Sequence, residues 1–174
     1  MAITVLANPV SLTWANFTPR AARIVDPNDG KLVDALTRFN FDMPSLPLRM
    51  VAGQFAMADP NIITITPNAQ VFRGVLKTPD LLSHEQFHYD VGIVTARALA
   101  RQLMDLRAPN QAALAIAVQN AALLHFTTRA RLLQSRYDLE TQHGINANFQ
   151  RIWKDRMTSC LANPNSDQLG GYLL

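Results

Sequence analysis

The sequence predicts an α+β fold: a small N-terminal antiparallel sheet packed on a C-terminal layer of three or more helices. Two observations carry this. Residues 1–77 hold most of the prolines and several short β-branched or alternating apolar runs, whereas from Thr78 onward apolar residues recur at helical spacing. A third bounds the size: 174 residues, 48% of them hydrophobic, fit one compact domain that buries a core without staples. The whole chain, 1–174, therefore reads as a single domain with a strand-rich half (1–77) and a helical half (78–160).

In the first half, Ile3 to Leu6, Leu48 to Phe55, Ile62 to Thr66 and Gln70 to Val75 are the strand candidates. Ala58-Asp59-Pro60-Asn61 supplies turn chemistry for a hairpin between two of them. Lys31 to Phe39, apolar at Leu32, Ala35, Leu36 and Phe39, reads as a short helix after the turn Asp26-Pro27-Asn28-Asp29-Gly30. In the second half, Thr78 is the expected N-cap of a long helix, with Pro79 at its first position and Asp80 near the positive end of its dipole. Phe87, Val91, Val94 and Ala98 form its stripe, and it runs to about Arg107. Ala108-Pro109-Asn110 breaks the pattern and Asn110 caps the next helix, whose stripe is Leu114, Val118, Ala121, His125, Thr128 and Leu132. A further helix carries Phe149, Ile152, Trp153 and Met157, and the tail after Cys160 reads as irregular.

Composition excludes several functions. One cysteine, Cys160, rules out an internal disulfide and Cys-rich metal sites, and nothing nearby marks it as a nucleophile. The longest unbroken apolar run, Ala112 to Val118, is too short to span a membrane. The net charge is +3, but the arginines are scattered without interleaved aromatics, which argues against nucleic-acid binding. The N-terminus has no signal-peptide pattern, so the chain reads as cytoplasmic or as a mature form lacking its leader. Among the acids there are eleven Asp and only two Glu, Glu85 and Glu140, so each Glu invites a specific role.

Glu85 lies in His84-Glu85-Gln86-Phe87-His88, inside the long helix. At 100° per residue the two histidines are about 40° apart and one turn up the same face, so both imidazoles can bind one metal ion. Glu85 lies about 100° round, beside the metal, where a general base takes a proton from metal-bound water. Neutral imidazoles suit a single Zn²⁺ that keeps enough acidity to lower the pKa of its water. A third ligand must come from elsewhere, because Val91 and Val94 occupy the positions of the longer Gly-and-third-His pattern. The segment Tyr137-Asp138-Leu139-Glu140-Thr141-Gln142-His143-Gly144 offers His143 first, Glu140 as the alternative, and then Asp138, with Asp90 as a further option. Tyr137 is a candidate donor to a developing oxyanion. Asp90 reads as a helix anchor through an Arg or a backbone group, and His125, on the apolar stripe, as a hydrogen-bonded core residue.

Three blocks resemble a bacterial family catalogued as a domain of unknown function and described as candidate zinc-dependent proteases, often secreted. They are Leu12-Thr13-Trp14-Ala15-Asn16-Phe17, then His84-Glu85-Gln86-Phe87-His88-Tyr89-Asp90, and finally Thr141-x-His143-Gly144-x-Asn146 followed by Gln150 and Trp153. The resemblance implies a metallopeptidase-like fold, zinc on His84 and His88, Glu85 as base, and His143 as a favoured further ligand. Asn16 departs from the Asp usual in the family. The expected activity is zinc-dependent hydrolysis of a peptide or protein substrate, which an exposed edge strand, Ile62 to Thr66 or Gln70 to Val75, would hold by β-augmentation. The alternative is a non-catalytic metal-containing module that binds peptides or serves a structural role.

Overall fold

A computed structural model describes residues 3–43, 48–58 and 61–174. It has an α+β fold with strands first and helices after them. In chain order the elements are β1 (Ile3–Ala7), a 3₁₀ turn (Trp14–Asn16), β2 (Phe17–Arg20), β3 (Ile24–Val25), β4 (Leu32–Val33), β5 (Ala35–Asp42), β6 (Leu48–Val51), β7 (Gln54–Met57) and β8 (Asn61–Phe72). The helices α1 (Pro79–Asp105), α2 (Gln111–Ala122), a π-helical turn (Leu123–Arg129), α3 (Ala130–Thr141) and α4 (Ala147–Ala162) follow, then β9 (Gln168–Leu169) and β10 (Tyr172–Leu173).

The main sheet is mixed, not antiparallel as expected. β8 is its central strand: β5 runs antiparallel along one edge, from Ala35 opposite Val71 to Asp42 opposite Thr64. The other edge takes β1 and β2, both parallel, opposite residues 61–65 and 69–72. The two expected strands Ile62 to Thr66 and Gln70 to Val75 are thus one strand that runs through Pro67. Phe72 N donates to Asp34 O on the β5 side and Ile65 O accepts from Asn8 N on the other, so the two-residue alternation aims the Pro67 nitrogen at the gap between β1 and β2. No ladder bond is lost there, which is why proline is tolerated in a central strand.

Several other expectations are corrected. Lys31 to Phe39 is not a helix but β4 and most of β5. Ala35, Thr37 and Phe39 turn inward while Arg38 and Asn40 turn out, and eight residues of pairing with β8 outweigh a weak helical spacing. Leu48 to Phe55 is a hairpin, β6 with β7, turned by Ala52 and Gly53 at φ 48° and 79°. Asp59 and Pro60 of the expected hairpin lie outside the described residues, and β7 and β8 belong to different sheets. The tail is not wholly irregular, since Gly170 and Gly171 turn β9 onto β10.

α1 forms as expected: Thr78 Oγ1 accepts from Leu81 N at 3.1 Å, and Asn110 Oδ1 caps α2 through Ala113 N at 2.8 Å. α1 is buried on nearly all sides because two cores meet on it. Tyr89, Ile93, Ala96 and Leu99 pack towards the sheet and α2, while Phe87, Val91, Val94 and Ala98 pack against α3 and α4. Gly92 lets α1 seat against β5; a Cβ there would stand 2.5 Å from the Phe39 ring. The buried face of α4 is Gln150, Trp153, Met157 and Cys160, with Phe149 and Ile152 exposed. Past α2 the buried face advances by one position. Thr128 and Leu132 are exposed, and Phe126, Ala130, Leu133 and Tyr137 face inward, because the π turn holds an extra residue. Among the described residues no helix is long and apolar enough to cross a membrane.

Candidate metal centre

The one-turn spacing on α1 brings His84 Nε2 and His88 Nε2 to 3.2 Å. α3 runs past this pair and contributes Asp138, whose Oδ1 lies 3.2 Å from His84 Nε2 and 3.0 Å from His88 Nε2. Donors about 2.0–2.1 Å from a tetrahedral zinc are separated by about 3.3 Å, so these three atoms have the mutual spacing of ligands around one ion. All three residues are buried, and as a group they could hold a metal ion.

Electrostatics bind the group together. Burial works against a charge on His88, but the Asp138 carboxylate outweighs it and holds the imidazole up to about 9. Burial likewise opposes ionisation of Asp138, and His88 and His84 override it, keeping the carboxyl well below its usual range. A cation in place of the shared proton satisfies the same carboxylate. The Nδ1 atoms of His84 and His88 have no hydrogen-bond partner among the described residues, so ring packing sets their orientation. Tyr137 stacks on His84 at 4.8 Å and stands edge-on to His88 at 5.3 Å. Gly144, at φ 87°, brings its backbone against His84; a Cβ there would lie 3.3 Å from the ring.

Glu85 sits beside the pair, 2% exposed, and its Oε2 has no hydrogen-bond partner among the described residues. A buried carboxylate oxygen left without a partner is costly. Glu85 borders a cleft of about 320 Å³ together with His84, His88, Asp138 and His143.

His143 lies next to this group without joining all three donors. Its Nδ1 is 3.8 Å from Asp138 Oδ1, and with Asp26 and Asp138 it forms a second possible metal-holding group. Gln142 and His143 both adopt left-handed conformations (φ 52° and 54°) before Gly144, which folds the chain back over the end of α3. Such a run in non-glycine residues stores about 1–3 kcal/mol each and persists where the surroundings enforce it. His143 Nε2 donates to Asp29 Oδ2 at 3.0 Å, which leaves the Nδ1 lone pair on the Asp138 side. The Lys31 backbone amide, donating to Asp29 Oδ1 at 3.0 Å, and then its ammonium, 2.9 Å from Oδ2, hold Asp29 down to about 2. The turn between β3 and β4 is thereby tied across the site.

Other candidates lie elsewhere. Glu140 accepts from Trp153 Nε1 at 2.8 Å and pairs with Arg136 at 2.7 Å, so both oxygens are engaged away from the histidines. Its place in the sequence marked it as functional; its side chain ties α3 to α4. Tyr137 stacks between His84 and Phe87 and borders a small cavity with Ser83, Gln86 and Asp90, not the cleft beside Glu85. Burial and the nearby Asp138 and Glu85 push its hydroxyl well above the usual tyrosine range. Asp90 accepts from Gln86 Nε2 at 2.7 Å; burial raises it to about 6, against the lowering effects of that hydrogen bond and of the expected Arg, Arg97, which acts through its charge. His125 is a core residue, as expected: Nε2 donates to Gln102 Oε1 at 2.7 Å, and burial with Arg129 lowers it to about 4. Cys160 is buried, with its thiol raised by that burial. In the sequence Asp26 and Asp29 read only as turn chemistry and Lys31 as the start of a short helix, and no local signal ties them to residues more than fifty positions away.

A helix-borne His-Glu-x-x-His pair, a third donor from a later helix and an unpaired carboxylate beside them define the class: an α+β protein with a candidate metal centre. Residues 76–144 match the family model described as "Bacterial protein of unknown function (DUF922)", the family whose motif blocks the sequence resembles. The matched stretch runs from just before α1 through the left-handed turn after α3 and contains every residue of the centre except those of the β3–β4 turn. No curated protein and no solved structure matches the chain.

Proposed function

We propose that the protein is a zinc-dependent peptidase. The observation that carries this reading is the convergence of His84, His88 and Asp138 on one point beside the unpaired, buried Glu85. In this reading those three residues hold the ion and His143 flanks it through Nδ1. When bound, zinc supplies the Lewis acidity that brings a water molecule's pKa near neutrality. Glu85 takes the proton of the attacking water and hands it to the leaving amine, a role suited to a carboxylate that borders the cleft beside the histidines. The substrate strand would lie along β5, since β8 is paired on both edges. β5 pairs only with β8 among the described residues, and it borders the clefts on both sides of His88.

The test is Glu85→Gln, which keeps metal stoichiometry by elemental analysis and loses peptide hydrolysis by about 10²–10⁴-fold. Retained turnover in that variant refutes the mechanism. The depth of burial supports a second reading, a structural or peptide-binding metal module, because structural sites are closed. A metal-loaded protein inert on a broad peptide library would favour it.

A further inference from the structure

We propose that the cleft on the far side of Asp138 from Glu85 is a subsite for a substrate carboxylate, with Arg131 as its cation. The inference rests on the peptidase reading and adds the class of substrate. The cleft, of about 350 Å³, reaches the metal group at His88 and Asp138 and extends away from it between α3 and β5. Thr127, Arg131, Gln134 and Asp138 line one wall at spacings of four, three and four, a single helical face.

Three polar groups in this cleft lack partners among the described residues. Arg131 makes no hydrogen bond or ion pair, although its neighbours Arg129 and Arg136 are committed, one to Leu174 O and the other to Glu140. Gln134 is equally free. Thr37, on the β5 wall, is 1% exposed with an unsatisfied Oγ1. A buried hydroxyl without a partner is costly unless a ligand completes it. Phe41 stacks on Phe126 at 4.0 Å to form an apolar wall beside the solvent-facing Arg131. The acidic groups of the cleft, Asp26 and Asp138, stand at its other end. Asp138 is held by both histidines, and Asp26 accepts from Asn28 N at 2.8 Å. Arg38 borders the cleft as well and adds positive charge.

The spacing sets the register. Seven helical residues separate Arg131 from Asp138, about 10 Å along the axis, and an extended peptide advances about 3.3 Å per residue. The carboxylate therefore belongs to a residue about two or three positions from the scissile bond. It is either an Asp or Glu side chain or the free C-terminus of the substrate.

The experiment uses fluorescent peptide pools carrying Glu, Gln or Lys at each position, with the C-terminus free or amidated. They are cleaved by the wild-type protein and bound by the Glu85→Gln variant, read by anisotropy. We expect Glu pools at one position to exceed Gln pools at least tenfold if the side chain is recognised. Free pools exceed amidated ones by a similar factor if the C-terminus is recognised. Arg131→Ala removes that ratio, Arg131→Lys restores part of it, and Arg131→Glu reverses it towards Lys. Cleavage or binding without a carboxylate preference, or a preference unchanged in Arg131→Ala, overturns the subsite and leaves the peptidase reading standing. Pools that are neither cleaved nor bound overturn both.

Discussion

If the centre holds a metal as proposed, proton and metal compete for the same buried nitrogen, and the proton's side of that competition has a calculable size. His88 is held from its ordinary 6.5 up to about 9 by Asp138, so between those values the folded protein without metal binds a proton that the unfolded chain does not. Stability therefore falls as pH rises. The contribution is fully present below 6.5 and is lost as pH passes through about 9. Over that window the linkage amounts to about 3 kcal/mol, a large share of a domain's stability. Asp138 sees the same contact from the other side, so it is counted once. Metal binding has the opposite dependence. The metal must displace the proton that Asp138 holds on His88, so apparent affinity rises with pH until that proton leaves on its own at about 9. The assay is urea denaturation of chelator-stripped protein across this range, paired with zinc titration against a chromophoric chelator. Asp138→Asn serves as control: it removes the group that raises His88, so the stability slope disappears and zinc affinity drops at every pH. Metal-free stability that stays level from pH 6.5 to 9, or zinc affinity that does not climb, refutes the sharing of a proton between His88 and Asp138.

Two further perturbations probe how the fold aims the site. Deleting Thr128, an exposed residue of the π turn, restores α-helical phase and rotates the start of α3 by about 100°; zinc affinity collapses while circular dichroism still reports helix. Unchanged affinity would show that the turn does not set the position of Asp138. Gly92→Ala drives a Cβ into the Phe39 ring and costs about 1–2 kcal/mol net, after the gain in helix propensity, measured as a lower urea midpoint.

Much of the centre is legible in the sequence because it is local. The position of His88 relative to His84 follows from helical geometry within one turn, and the caps Thr78 and Asn110 fix where that geometry begins and ends. Phe87 on the stripe of α1 and Trp153 on that of α4 follow from spacing as well, whereas their meeting with each other and with Tyr137 does not. The segment from Tyr137 to Gly144 could be identified as the source of further donors, but not the order among them. Glu140 and Asp138 differ by two positions, about 160° apart on a helix. Which of them faces α1 depends on the rotation of α3, and which is neutralised elsewhere depends on Trp153 and Arg136. The scarcity of glutamate drew attention to Glu85 as base and to Glu140 as an alternative ligand; Glu85 lies beside the histidines, while Glu140 is engaged by Trp153 and Arg136 instead.

By itself the sequence determined the α+β division, the long capped helix, and the placement of His84, Glu85 and His88 on it, all of which rest on periodicities shorter than five residues. Tertiary structure alone decided the rest. Pairing with β8 made a strand of residues that also satisfy a helical spacing, and among the described residues it left β5, not β8, with a free edge beside the clefts. The π turn advanced the buried face of the following helix from Thr128 and Leu132 to Ala130, Leu133 and Tyr137, and with them Asp138. Phe126 anchors that shift against Phe39 and Phe41 of β5, more than eighty residues earlier in the chain. A helix's phase is inherited from residue to residue, so one extra residue held in place by distant packing re-aims every side chain beyond it.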